Sequence, residues 1–326
     1  MKTEILKKLK MAGTYVSGQA LCEELGVSRT AVWKAVRQLQ EEGCTIEAVR
    51  NRGYLYRESG DIYSAAGIKS QLHTRIMGQN LVFCQETDST NNLARRQAEE
   101  GAPDGTLAVA LTQTAGKGRR GKGWTSPAGD GVWMSLLLRP AFPPEAASML
   151  TLVAAMAVQE GISRMTGLDC KIKWPNDVVV DGKKICGILT EMSTEADYIR
   201  YVVVGIGINV GIRQFPEELK DKATSVYLCL GRTVSRARLV AEVMEAWEKY
   251  YDIFKETLDL RNLREEYNQE LVNTGKTVQI MAQEQSYTGT ALGIDSRGQL
   301  LVETGDGSVR QVMSGEVSVR GVYGYV

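Results

Sequence analysis

The sequence predicts a multidomain α+β protein, and three observations predict it. Within the first sixty residues, helical segments joined by a glycine turn lead into a short basic hairpin. From Asp61 onward, apolar strands alternate with helices in no regular βαβ order. Beyond residue 272, short strands are separated by Ser-Arg-Gly and Asp-Gly turns. The domains expected are 1–60, 61–271 and 272–326, and 326 residues suffice for two or three domains with a large core.

Composition removes several function classes. With 43% hydrophobic and 24% charged residues the chain has ordinary soluble composition, and no uninterrupted run of about 18 apolar residues offers a membrane span. The opening "MKTEILKKLKMAG" alternates Lys with Ile and Leu and does not read as a signal peptide. Cys22, Cys44, Cys84, Cys170, Cys186 and Cys229 form no C-x-x-C pair, and the one histidine is His73. That pattern predicts reduced thiols in a cytoplasmic protein, argues against a Cys/His zinc site, and leaves a Ser-His-Asp triad without support. Catalysis must then rest on Lys, Arg, Asp or backbone groups. Net charge is zero, yet residues 1–60 carry about +3 and the remainder about −3, so the amino end is the one suited to an anion.

The first element is a helix from Thr3 to Met11, with Ile5, Leu6 and Leu9 on one face. Ser17 starts a second helix carrying Leu21 and Leu25. Gly26 supplies the positive φ of a tight turn, and small Cys22 permits close approach. Ser28 caps the third helix, whose inward residues are Val32, Ala35, Val36 and Leu39. Its outward residues, Arg29, Thr30, Trp33, Lys34 and Arg37, suit phosphate anchoring and base-edge contact in a major groove. "CTIEAVRNRGYLY" then reads as two strands around Asn51-Arg52-Gly53, a basic wing. Ser28 and Arg52 complete the DNA-facing set of a winged helix-turn-helix.

In the middle of the chain, "NLVFCQETDSTNNLARRQAEEG" runs from strand to a helix capped by Ser89 or Thr90. "GTLAVALTQT", "GVWMSLLLRP" and "YIRYVVVGIGINV" are core strands, and residues 145–167 form one long buried helix. Asp181-Gly182 joins two β-rich runs as a hairpin. The acidic "EEYNQE" is read as surface.

Between two of those strands lies "GKGRRGKGW". Gly116, Gly118 and Gly121 fit G-x-G-x-x-G, and Gly116, Gly121 and Lys122 begin a Walker A motif in which Gly123 replaces Ser or Thr. Both motifs require a helix beginning inside the glycine segment. Pro127 and further turn formers follow here, then a strand, so neither motif holds. What remains is either a solubilising surface loop or an anion-binding one. Glycines let amides close around an anion that Lys117, Arg119, Arg120 and Lys122 neutralise, and Trp124 gives the loop something apolar to fold over.

Taken in order, "ETDSTN", "GKGRRGKGWTSP", "KWPND", "GKKICGIL", "GIGINV", "ATS" and "GEVSVR" resemble the biotin–protein ligases over essentially the whole chain. With the helix-turn-helix ahead of them, the chain resembles the bifunctional form that also represses biotin genes. The resemblance implies a central domain like class II aminoacyl-tRNA synthetases and a carboxyl-terminal SH3-like β-barrel. It implies ATP and biotin as substrates, Mg²⁺ as cofactor, and biotin carrier domains of carboxylases and operator DNA as partners. A homodimer promoted by biotinyl-adenylate, and no membrane, complete that picture.

Carried over residue by residue, the resemblance puts Ser89, Thr90 and Asn91 at the biotin pocket, with Gln113 on the next strand. Gly116, Lys117, Gly118 and Arg119 lie in the loop that orders over the ligand. Lys117 stands where the family usually has Arg, keeping charge but losing a bidentate fork. Lys184 would touch the biotin carboxylate and the α-phosphate; with Arg119 it is the catalytic candidate. Gly205 and Gly207 would give a flat strand against the biotin ring, and Trp124 an apolar wall. Asp177 would orient neighbours, and Glu316 and Arg320 would face the active site. The alternatives are a ligand-sensing repressor without ligase turnover and a lipoate-type ligase on the related fold.

Overall fold

The structure, a computed structural model, describes residues 1–57, 61–195, 198–281, 286–313, 318–321 (backbone) and 325. Its contacts divide into two compact units: Met1–His73 with Val234–Ala241, and Thr74–Thr233 with Glu242–Val326.

The first unit begins with α1 (Lys2–Ala12), α2 (Gly18–Leu25) and α3 (Arg29–Glu41). The serine caps act as the sequence implies: Ser17 accepts from the Ala20 amide and Ser28 from the Ala31 amide. Gly26 closes α2 in the left-handed region, at φ 65°. Ile5, Leu6, Leu9, Leu21, Val32 and Leu39 are all 1% exposed or less and make the core of this unit. Strands β1 (Ile46–Val49) and β2 (Gly53–Tyr56) pair antiparallel around Asn51, itself at φ 65°. The wing is tied back by paired amide bonds between Val16 and Tyr54, each 2.9 Å. A side chain at Gly53 would run into the Val16 carbonyl, 2.0 Å from the Cβ position. Helix α4 (Ala65–Lys69) follows, capped by Ser64.

The second unit is built on a seven-stranded mixed sheet. Its strands are β3 (Leu81–Thr87), β4 (Thr106–Gln113), β5 (Gly131–Leu138), β6 (Lys171–Lys173), β7 (Asp177–Val180), β8 (Lys183–Glu195) and β9 (Tyr198–Asn209), in spatial order 3-4-5-9-8-7-6. The β3–β4 pair is parallel and every other pair antiparallel. Every residue of β5 is buried, as a central strand covered on both faces must be. Helix α5 (Thr90–Glu99) packs over β4, β5 and β9, capped by Ser89, whose hydroxyl accepts from the Asn91 amide. Asp181 and Gly182, both at positive φ, turn β7 into β8 as the sequence implies.

The long helix expected over 145–167 is two helices, α6 (Pro144–Ala147) and α7 (Leu150–Thr166). The first closes on itself where the Ser148 hydroxyl donates to the Glu145 carbonyl. Within Pro144–Thr166 an 18-residue window is apolar enough to span a membrane, but 72% of that window is buried within the fold. The remaining helices are α8 (Val226–Leu230), α9 (Arg236–Thr257) and α10 (Arg264–Glu270). Helix α10 corrects the reading of "EEYNQE" as surface. Tyr267 is fully buried, and Glu270 accepts from Gln159 and pairs with Lys171 at 2.9 Å. The acidic residues conceal a single inward aromatic, too sparse a pattern for periodicity to reveal.

After α10, strands β10 (Thr277–Met281), β11 (Tyr287–Ile294), β12 (Leu300–Glu303), β13 (Val309–Val312) and β14 (Ser318–Gly321) form an antiparallel five-stranded sheet, in order 13-12-11-10-14.

Candidate active site

The sheet of the second unit carries a pocket of about 450 Å³, mouth included, at the level of the β4–β5 loop. Its floor comes from the amino end of α5. Ser89, Thr90 and Asn91 line it and are nearly fully buried. Gln113, at the end of β4, accepts from the Thr90 amide at 2.8 Å and donates to Ser126 at 2.7 Å. This end presents hydroxyls and amides with no net charge.

The opposite end is cationic. Lys184 on β8 enters the pocket, its ammonium 2.5 Å from Oδ1 of Asp177 and 5.1 Å from the centroid of the Trp124 ring. Tyr325 donates to the other Asp177 oxygen. Arg119 donates to Oδ1 of Asn176 at 3.0 Å. Burial lowers its pKa, with Asp177 opposing; at neutral pH a guanidinium remains charged.

The glycine-rich loop folds over the pocket as a flap. Gly116 accepts from the Trp124 amide at 2.8 Å, and the Gly118 amide donates to Lys122 at 2.7 Å. Lys117 reaches back to Asn92 at 2.6 Å. A Cβ at Gly116 would stand 2.2 Å from the Trp124 carbonyl, so this glycine is needed for the fold of the loop itself. As expected, no α-helix starts here; Arg119–Gly121 make a single 3₁₀ turn.

Of the residues singled out in the sequence, Ser89, Thr90, Asn91, Gln113, Lys117, Gly118, Arg119, Trp124, Lys184, Gly205 and Gly207 all line this one pocket. Gly116 does not; it braces the loop from outside. The glycines of β9 also meet a packing requirement. A Cβ at Gly205 would lie 2.2 Å from Oδ1 of Asn91, and one at Gly207 would lie 2.7 Å from the Trp124 indole nitrogen. They make room for protein side chains that shape the pocket. The indole nitrogen is buried with no hydrogen-bond partner among the described residues.

Sequence reasoning missed Asn176, Gly187, Ile188, Leu189 and Ile206, which also line the pocket. Asn176 sits inside the quoted "KWPND" and could have been taken from it. The others are backbone and apolar surface of ordinary strands, which carry no sequence signal. Tyr325 was missed as well. Glu316 lies outside the described residues, and of Arg320 only the backbone, paired with Gln279, is described.

In the first unit, Ser28, Arg29, Thr30, Trp33, Lys34, Arg37 and Arg52 are all exposed. Arg29 is held by Gln19 and the Arg37 guanidinium lies 5.3 Å from the Trp33 ring. Arg52 stacks over Tyr15 at 4.4 Å, and the Tyr15 hydroxyl donates to Glu47 at 2.8 Å.

Three family models match the chain. Residues 82–209 match the biotin/lipoate A/B protein ligase family, 2–55 an HTH domain, and 274–320 the biotin protein ligase C terminal domain. Together with the pocket they define a ligase coupled to a DNA-binding module. The bifunctional ligase/repressor BirA of Bacillus subtilis is 40% identical over 98% of both chains. Its Escherichia coli counterpart is 30% identical over 94% of each. The solved biotin protein ligase from Aquifex aeolicus in complex with biotin and ATP is 33% identical, covers 74% of this chain and 99% of its own, and superposes with TM-score 0.67. The chain belongs to the biotin–protein ligase family, as a bifunctional ligase and repressor.

Proposed function

We propose that the pocket binds biotin with its bicyclic ring on the neutral floor of Ser89, Thr90, Asn91 and Gln113, and its carboxylate at Lys184 and Arg119. The observation that carries this is the polarity of one cavity: amides and hydroxyls at one end, cations at the other, Trp124 between them. Biotin has the matching order of ureido ring, apolar chain and carboxylate.

In the first step a carboxylate oxygen attacks the α-phosphorus of ATP, and pyrophosphate leaves. Two anions must approach, so Lys184, Arg119 and Lys117 neutralise them. In the second step a lysine amine of a carboxylase carrier domain attacks the mixed-anhydride carbonyl, AMP leaves, and an amide forms. The flap keeps water from the anhydride meanwhile.

For Mg²⁺ the donor set is poor. Among the described residues no group of three or more His, Cys, Asp or Glu could hold a metal. Any ion that accompanies ATP rests on phosphate and water oxygens, and no step here depends on it.

In this reading α3 of the amino-terminal unit enters the major groove of operator DNA of biotin genes, with the Arg52 wing on the flanking backbone. Biotinyl-adenylate is intermediate and corepressor in this reading, promoting a homodimer that matches a two-fold operator. The domains are 1–60, 61–271 and 272–326, the last an SH3-like barrel, and the protein works in the cytoplasm.

The test combines labelled biotin, Mg-ATP and a biotin carrier domain with the wild type, Arg119→Ala and Lys184→Ala. Transfer by the wild type that collapses in both variants supports the reading. Biotin binding without transfer would leave a sensing repressor.

A further inference from the structure

Asn91 is placed by Glu191 and Ser135, which do not line the pocket, and by the Leu189 carbonyl, which does. Both protons of its amide are committed, to Oε2 of Glu191 at 2.7 Å and to the Leu189 carbonyl at 3.3 Å. Its Oδ1 accepts from Ser135, a serine with no exposure, at 2.6 Å. Glu191 is itself fixed from the other side by Arg95 at 2.6 Å. An amide has two donors and two acceptor sites, so what Asn91 retains for a ligand is one lone pair on Oδ1.

Ser135 does not choose between this amide orientation and its flip, because it can donate to oxygen or accept from nitrogen. The Leu189 carbonyl favours the observed one only through a long bond of 3.3 Å. The Glu191 carboxylate is the stronger of the two acceptors, ionised and 2.7 Å away, so it carries most of the preference. Gly205 completes the seat by leaving space beside Oδ1 that a Cβ would occupy.

We infer that Glu191 is a positioning residue that fixes Asn91 as a hydrogen-bond acceptor, and so selects ligands whose ring bears an N–H, as a cyclic urea does. The inference rests on the proposed placement of the biotin ring over Ser89, Thr90 and Asn91. Glu191 touches no ligand; it acts through the Asn91 amide, with Ser135 as its counterpart on the far side. A head group without N–H donors, such as a dithiolane, gains nothing from this arrangement and leaves the acceptor unpaired.

The experiment titrates the full-length protein with biotin and measures the KM for ATP in parallel, for the wild type, Glu191→Leu, Glu191→Gln and Glu191→Ala. Glu191→Leu is expected to weaken biotin by about tenfold, the usual effect of losing one oriented buried hydrogen bond. Glu191→Gln, which can still accept from Asn91, should stay within about threefold of wild type. The KM for ATP should not move in either. Biotin affinity unchanged in Glu191→Leu, or equally weakened in the Gln and Leu variants, overturns the inference. If Glu191→Leu does not fold, Glu191→Ala decides: weakened biotin binding at unchanged ATP KM, with Glu191→Gln near wild type, supports the inference, and wild-type affinity overturns it. Failure of the wild type to bind biotin at all would instead remove the placement of biotin in this pocket.

Discussion

The Lys184 ammonium and the Asp177 carboxylate form an ion pair at 2.5 Å, with Asp177 held on its other oxygen by Tyr325. Lys184 is 22% exposed and Asp177 12%, so the pair is only partly screened by water. Asp177 holds the Lys184 ammonium at the pocket, and in the proposed reaction substrate anions compete with it. Removal of the cation should lower adenylate formation by about 10²–10³-fold. Lys184→Ala is expected to show this in pyrophosphate release at saturating biotin and ATP, with biotin binding reduced far less. Asp177→Asn should give a smaller loss, confined to kcat. Equal rates for Lys184→Ala and wild type would put the chemistry elsewhere.

A methyl group at Gly205 has no room. Its Cβ would stand 2.2 Å from Oδ1 of Asn91, whose amide is pinned on three sides. Gly205→Ala must push Asn91 out of place, and the expected outcome is biotin affinity lower by at least about tenfold, from one misaligned buried hydrogen bond and local strain. At Gly211 the nearest atom to a Cβ is a backbone oxygen at 3.3 Å, outside this pocket, so Gly211→Ala serves as the control and should bind normally. Calorimetric titration with biotin separates the two.

Those positions show what the sequence made legible and what it withheld. Helix caps at Ser17, Ser28 and Ser89, the Asp181-Gly182 turn and the core stripe of α3 follow from local rules of spacing and hydrogen bonding. The charged loop was legible as a candidate anion-binding loop from its own glycines and cations, whereas Lys184 was singled out only through the family resemblance. Glu191, Ser135 and Tyr325 were not legible at all. Each acts through a partner 44 to 148 residues away, and no local pattern encodes such a meeting. The reason for Gly205 was hidden for the same cause: its flatness serves Asn91, and only the packed structure brings the two together.

Glu248 on α9 gathers the amides of Arg75, Ile76 and Met77 at 2.8 to 3.2 Å, and the Arg75 guanidinium as well. Burial alone would raise its carboxyl pKa, but these donors hold it below the ordinary value. A carboxyl depressed on folding binds its proton more weakly in the native state. Its contribution is therefore present above the unfolded pKa of about 4.3, and lost as pH falls through the lower folded value. Glu248→Gln should cost about 1–3 kcal/mol at neutral pH. It should also flatten the dependence of stability on pH below about pH 5. Urea unfolding at a series of pH values checks both; parallel curves for wild type and variant would show that Glu248 titrates normally.

Arg52 stands at the tip of the wing with its guanidinium 4.4 Å from the Tyr15 ring, and Tyr15 is held by Glu47, which also binds Arg57 at 3.0 Å. Stacking on an anchored ring restricts the Arg52 side chain before DNA arrives, so less conformational entropy is lost when it meets a phosphate. Two variants distinguish contact from preorganisation on a random-sequence duplex, where phosphate contacts dominate. Arg52→Ala removes a cation, and the slope of log K against log salt should fall in magnitude by about 0.9. Tyr15→Ala leaves the cation in place, so the slope should hold while affinity drops severalfold at every salt concentration. A Tyr15→Ala slope that falls as far as that of Arg52→Ala would mean that Arg52 no longer reaches the backbone without the ring. An unchanged slope in Arg52→Ala would take the wing out of the DNA contact altogether.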